Sequence, residues 1–463
     1  MIKQEKTIIR AALWVAVIGS FFTPFMGSAI NIALPVIGKE LNMNAVALGW
    51  VASSFILASS MILVPVGRLA DILGRKLVYL IGVSLFTAAT VLCSISTSGT
   101  MLIVSRCIQG LGSAAMFTTS LALVMSIYPK EKRGRAVGLV TATVYVGLAL
   151  GPSLGGILTQ YLGWRSLFYL NILPGLIIIF ILLRYLKGEW AEAKGEKFNL
   201  SGAIVYASAI FSLMYGLTNL PEFFAFILTF TGVVLLIIFI RIQLSVNQPL
   251  INIALLIRNR TFAFSNLAAF INYAATFGVG FLLSLYLQYA KGLNPRDAGL
   301  ILVSQPLMMS VVSPVAGRLS DRIDPRILSS SGMAVSSLGL VFISLINTST
   351  STGFIFLSLM ILGFGFALFS SPNTNAVMSS VEKKDLGIAS ATLSTMRLMG
   401  QMISMVIVMT AINFFIGKVK LSPAVVPQLM NTVKFSLYLF SFLCFAGIFA
   451  SLARGKKIVS LKQ

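Results

Sequence analysis

The sequence predicts an all-α integral membrane protein of about 14 transmembrane helices, built as two six-helix pseudo-repeat domains plus an inserted central helix pair. Three observations predict it. Of 463 residues, 57% are hydrophobic and 10% are charged, against about 25% charged in a soluble domain. The apolar residues fall into long runs, each about the 20 residues that a membrane-spanning helix needs. One short sequence also occurs twice: Gly67-Arg68-Leu69-Ala70-Asp71 follows the second run, and Gly317-Arg318-Leu319-Ser320-Asp321 follows the tenth.

The runs centre on about 11–35, 48–70, 77–97, 100–127, 136–159, 166–187, 199–219, 222–241, 262–289, 296–317, 327–347, 353–379, 386–416 and 432–453. Lys3, Lys6 and Arg10 precede the first run, which lacks a small-residue cleavage site and is expected to stay as a helix. An even number of spans puts both termini on one side. Alternate gaps then hold most of the basic residues, including Arg68, Arg75 and Lys76, then Lys130, Lys132, Arg133 and Arg135, and later Arg318, Arg322 and Arg326. The opposite gaps hold few, among them Lys39, Arg165, Lys291, Arg296, Lys418, Lys420 and Lys434. This asymmetry predicts cytoplasmic termini. The longest gap, about 242–261, is expected to carry only a loop with a short interfacial segment. The expected location is the plasma or inner membrane.

The net charge of +22 is explained by that asymmetry and forms no nucleic-acid patch. The chain has no His, which removes the commonest zinc ligand. Cys93, Cys107 and Cys444 sit inside apolar runs without CxxC spacing and read as buried packers. There is no GxxxxGK[ST] loop and no cluster of acids for a metal, so the chain is not expected to be an enzyme or to carry a cofactor.

The repeated GRLxD core lies at the same helix end and on the same membrane side in both copies. Many transporter folds are built from such repeats. If helices 1–6 correspond to 9–14, the domains are 1–190 and 261–463, with the inserted pair and its loop at 191–260.

Further motifs carry a resemblance. Gly67 to Lys76, with Asp71, Gly74 and Arg75, forms a loop motif. Arg106, Gln109, Gly110 and Gly112 form a pattern in the fourth helix, and Gly147, Gly151, Pro152, Gly155 and Gly156 form GxxxGPxxGG in the fifth. Asn31-Ile32-Ala33-Leu34-Pro35, Tyr286-Leu287-Gln288, and Arg397 with Gln401 are further marks. Together they resemble the 14-helix drug:proton antiporter family of the major facilitator superfamily, over nearly the whole chain. The resemblance implies an alternating-access carrier in which two six-helix domains rock about a central site. It implies that Asp71 and Arg75 latch the domains on the cytoplasmic side, Asp71 facing the helix that starts after Asp385, with Asp321 in the matching loop. The small residues of the fifth helix allow close packing, and Pro152 a bend that serves as a gate.

Arg106 lies mid-helix, where a charge is costly and must meet a polar cavity or carbonyls. It reads either as a site residue or as a clamp between helices, and Arg397 reads the same way. Polar candidates for the pathway are Asn31, Gln109, Tyr145, Asn272, Gln288, Gln305 and Gln401, each of which could equally serve as a hydrogen bond between helices. The family's first-helix motif often carries an Asp, and alignment on Asn31 puts Met26 there. None of the 13 acidic residues is expected mid-helix. Burial would raise a membrane carboxylate's pKa and make it a proton carrier. Its absence leaves Asp71, Glu222 and Asp297 as proton candidates.

The expected function is secondary active export of small amphiphilic or drug-like molecules by proton antiport. A specific neutral or anionic metabolite carrier without proton coupling, and a lipid flippase, remain open. The expected partners are membrane lipids and a small-molecule substrate, with the chain acting as a monomer.

Overall fold

The computed structural model describes residues 2–129, 133–246, 248–251, 253–320, 322–382 and 386–455. Fourteen helices among the described residues are long and apolar enough to cross a membrane. They are formed by α1 (Ile2–Glu40), α2 (Ala45–Leu73), α3 (Arg75–Ser94), α4 (Gly99–Ile127), α5 (Arg133–Leu162), α6 (Arg165–Arg184), α7 (Leu200–Thr218) and α8 (Phe223–Ser245). The short α9 (Ile253–Arg258) follows. The ninth span combines α10 (Arg260–Thr276), α11 (Gly278–Leu285) and a π-helical turn (Tyr286–Ala290). The tenth combines α12 (Pro295–Leu302) and α13 (Ser304–Leu319), and the last four are α14 (Pro325–Ser344), α15 (Thr352–Ser379), α16 (Leu386–Phe415) and α17 (Val426–Leu452).

Polar caps set the breaks between these apolar runs. Asn44, Asn199, Asn259 and Asn294 each accept a backbone N–H three residues on, at 2.8–2.9 Å. Such side chains satisfy donors that a helix start leaves unpaired. Gly74, at φ +116°, separates α2 from α3.

The chain forms two compact units. One comprises Met1–Leu250, Val279–Val303 and Met405–Val433, and the other Ile251–Gly278, Ser304–Ser404 and Lys434–Gln463. In the first, α1 packs on α5 and α6, α4 on α2 and α3, and α12 on α5. The inserted pair α7–α8 belongs to this unit. Trp50 of α2 stacks near Tyr215 of α7 at 5.4 Å, and Thr410 and Asn413 donate to the carbonyls of Leu217 and Thr218. In the second unit α15 packs on α14, α13 and α10.

The internal repeat extends to backbone crossings. A Cβ added at Gly112 would lie 2.5 Å from Phe86 N and 2.6 Å from Gly82 O, joining α4 to α3. A Cβ at Gly365 would meet Ser336 N and Gly332 O, the latter at 2.7 Å, joining α15 to α14. Gly110 on Phe55 O is matched by Gly363 on Gln305 O, and Gly147 on Phe21 O by Gly400 on Phe270 O. Each half thus repeats three crossings at which only a glycine admits the neighbouring backbone.

Candidate functional site

The first cluster is the loop between α2 and α3. Arg75 is buried and pairs with Asp71 at 3.0 Å and with Glu192 at 2.8 Å. It also donates to Ser126 Oγ and to Ala122 O. The segment after α6 folds back to supply these acids. Its Glu189 accepts the N–H groups of Lys76 and Leu77 at 2.7 and 3.1 Å, so a carboxylate sits at the positive end of α3. Trp190 O accepts from Arg75 N, Asp71 O accepts from Ala193 N, and Glu196 pairs with Arg68. Gly74 is required: besides its positive φ, an added Cβ would strike the Glu189 side chain. Gly67 meets nothing closer than Thr118 at 3.8 Å. Asp321 and Asp385 lie outside the described residues.

Sequence reasoning expected no acid mid-helix and missed that Glu189, Glu192 and Glu196 brace this loop. The signal was present as three acids within eight residues of one connecting segment, beyond a loop that needed counter-charges. Replacing all three by Gln is expected to free the segment. Trypsin should then cut the native protein at Lys187, Lys194 or Lys197 several-fold faster. Unchanged cleavage would contradict the brace.

Inside the first unit, Arg106 is 1% exposed. Its Nε donates to Val51 O at 3.2 Å, its Nη1 to Gln109 Oε1 at 2.6 Å, and its guanidinium stacks 4.4 Å from the Phe55 ring. Gln109 in turn donates to Thr90 Oγ1 at 2.7 Å. The structure therefore joins Arg106 and Gln109 in one chain linking α2, α3 and α4. Met26, also 1% exposed, accepts a contact from Asn171 Nδ2 at 3.6 Å.

Asn31 and Gln288 are linked through the Ser284 hydroxyl. Ser284 Oγ donates to Asn31 O at 2.6 Å, and Gln288 Nε2 donates to Ile32 O at 3.0 Å and to Ser284 Oγ at 3.1 Å. The same end of α5 is packed on two sides. Gly147, Gly151 and Gly155 press on Phe21, Ser28 and Ala29 of α1, while Gly156 presses on Pro295 O and Gly299 of α12 presses on Pro152 O. Helix α5 runs unbroken through Pro152. Tyr145, nearby on α5, is half-buried.

In the second unit, Arg397 donates to Thr374 Oγ1 at 2.6 Å and lies 5.7 Å from the Tyr273 ring. Asn272 and Asn373 each adjoin one of these partners in sequence; both are buried, and their amides have no hydrogen-bond partner. Gln305 and Gln401 are half-buried.

The proton candidates lie at helix ends. Glu222 precedes α8 and pairs with Lys418 at 3.4 Å. Asp297, in the first turn of α12, takes Asn294 Nδ2 at 2.9 Å. Among the described residues every Asp and Glu lies in the last or first turn of a helix or in a connecting segment, and no group of three acids or cysteines could hold a metal.

A family model described as Major Facilitator Superfamily matches residues 16–260 and 266–457. Riboflavin transporter RibZ of Clostridioides difficile (strain 630) is 29% identical over 397 residues, covering 85% of each chain. Multidrug resistance protein Stp of Mycobacterium tuberculosis (strain ATCC 25618 / H37Rv) is 31% identical over 380 residues, covering 81% of this chain and 70% of Stp. Among solved structures, a POT family transporter in complex with a thioalcohol conjugated peptide superposes with a TM-score of 0.72 at 14% identity, over 96% of this chain and 98% of that one.

Proposed function

The chain belongs to the Major Facilitator Superfamily, a multi-pass secondary transporter of small molecules, and from that premise we propose that it exports amphiphilic compounds by proton antiport. In this reading it is of the 14-helix drug:proton antiporter type and works as a monomer in the plasma or inner membrane. Both termini are cytoplasmic. Residues 1–190 and 261–463 rock as domains, the pair at 191–260 travels with the first, and the Asp71–Arg75 loop is the cytoplasmic latch.

The observation that carries this reading is the glycine surface of α5. It meets α1 through Gly147, Gly151 and Gly155, and α12 through Gly156. A helix packed backbone to backbone on two sides has few intermediate positions, which suits a gate with discrete states. The sequence similarity to a multidrug resistance protein adds support for export.

Charge shapes the substrate class. With Arg397 half-buried and every described carboxylate at a helix end or in a connecting segment, neutral or anionic amphiphiles are favoured over dications. Protons would be taken by Asp71, Glu222 or Asp297 at the helix ends. A second reading, a carrier for one neutral or anionic metabolite without proton coupling, is favoured by the lack of a buried carboxylate among the described residues and by the similarity to a riboflavin transporter. Expression in an antibiotic-sensitive bacterium separates them. Export predicts a several-fold rise in the inhibitory concentration of several unrelated neutral or anionic amphiphiles. Protection against dications alone would overturn the charge preference, and protection against none would favour the metabolite carrier.

A further inference from the structure

Arg454 stands two residues beyond the last span, where α17 ends. It is 1% exposed, yet Nε, Nη1 and Nη2 all lack a hydrogen-bond partner. The surrounding backbone is well fixed. Thr261 Oγ1 donates to Arg454 O at 2.9 Å and Arg260 Nε to Ala453 O at 2.8 Å, tying α17 to the start of α10. Ser451 meets Ser330 at 2.9 Å, and Ser330 donates to Arg326 O at 2.7 Å, tying it to the start of α14. The carbonyls of Ala453 and Arg454, just past α17, are therefore committed to Arg260 and Thr261, and neither is bonded to the Arg454 guanidinium.

Asp324 is the acid that acts on Arg454. Burial pulls the pKa of Arg454 down, and the Asp324 carboxylate opposes that fall. The two form no ion pair, and Asp324 Oδ1 already caps α14 by accepting Arg326 N at 2.8 Å. Arg326 Nε is buried without a partner as well. Beyond Arg454 the sequence carries Lys456, Lys457 and Lys462 and no Asp or Glu. A desolvated guanidinium without acceptors is unfavourable, and it is the natural seat of an oxyanion.

The internal repeat shows what belongs in such a corner. Helix α3 corresponds to α14 through the matched crossings at Gly82 and Gly332. At the start of α3 the chain supplies its own anions: Glu189 on the N–H groups of Lys76 and Leu77, and Glu192 on Arg75. At the start of α14 the segment following α17 brings a buried Arg instead. We propose that the corner of α10, α14 and α17, centred on Arg454, binds a phosphate group, carried either by an anionic lipid headgroup or by free phosphate, in the place that the Glu189–Glu192 segment fills in the other half.

The test uses the purified full chain in two arms. Thermal unfolding is followed against sodium phosphate, with sodium chloride at matched ionic strength as the reference. Native mass spectrometry then counts retained phosphatidylglycerol against phosphatidylcholine. The wild type is expected to respond in at least one arm. Response to phosphate alone assigns a free anion, and selective phosphatidylglycerol retention assigns a headgroup. Arg454→Gln is expected to weaken the response about tenfold, with Arg454→Lys retaining part of it. Asp324→Asn, which removes the competing carboxylate, is expected to strengthen the response. A wild type silent in both arms, or an Arg454→Gln variant that responds like the wild type, would overturn the site. So would an Asp324→Asn variant that loses stability without gaining anion response, because Arg454 would then be serving Asp324. If Arg454→Gln does not fold, Arg454→Lys and Asp324→Asn decide the question by the same readouts.

Discussion

Gly147→Val is expected to abolish transport, whereas Gly138→Ala on the same helix is expected to leave it intact. A Cβ at Gly147 would strike the backbone carbonyl of Phe21, and backbone cannot rotate away as a side chain can. Overpacking of this kind costs about 1–3 kcal/mol, and here it also wedges α5 from α1. At Gly138 an added Cβ finds nothing within 4 Å. There Ala should be neutral or stabilising, by up to about 1 kcal/mol from helix propensity. Gly400→Val in α16 should behave as Gly147→Val does, because it presses on Phe270 O in the matched crossing. Transport assays on membranes with equal protein content check all three. Full activity in Gly147→Val would remove the close crossing from the account of the gate.

Arg106→Leu is expected to act on stability first. The change leaves Gln109 Oε1 buried without its donor, a loss of about 1–3 kcal/mol. Replacing both Arg106 and Gln109 by Leu should recover part of that loss, since an apolar pair can substitute for a buried polar one. Thermal unfolding of the purified variants measures this. Substrate affinity in the folded protein should hold, because Arg106 is turned into the junction of α2, α3 and α4. A variant that keeps its stability but loses affinity would instead make Arg106 a substrate contact.

The spans were legible because each needs about 20 apolar residues, and polar or glycine caps such as Asn44, Gly74 and Asn199 interrupt the runs close to the observed ends. The GRLxD repeat was legible because its letters recur. The crossings at Gly82 and Gly332, or Gly110 and Gly363, were not, because their partners are backbone atoms without a sequence signature. The brace formed by Glu189, Glu192 and Glu196 was missed for a related reason, since its acids reach back more than a hundred residues to Arg68, Arg75 and the start of α3. Asn31 illustrates the limit of a residue list, as its contact with Ser284 is made by its carbonyl and not by its amide. Gly67 shows the reverse, a motif glycine whose surroundings would admit a Cβ.

Transport coupled to protons is proposed for a chain whose described carboxylates all lie at helix ends or in connecting segments. Purified protein in proteoliposomes with an internal pH dye, challenged with neutral and anionic amphiphiles, tests it most directly. Substrate-dependent proton movement is expected, and Asn at Asp71 or Asp297, or Gln at Glu222, reduces it in at least one case. Substrate flux that is unaltered when the pH gradient is collapsed, with no dye response, would contradict it.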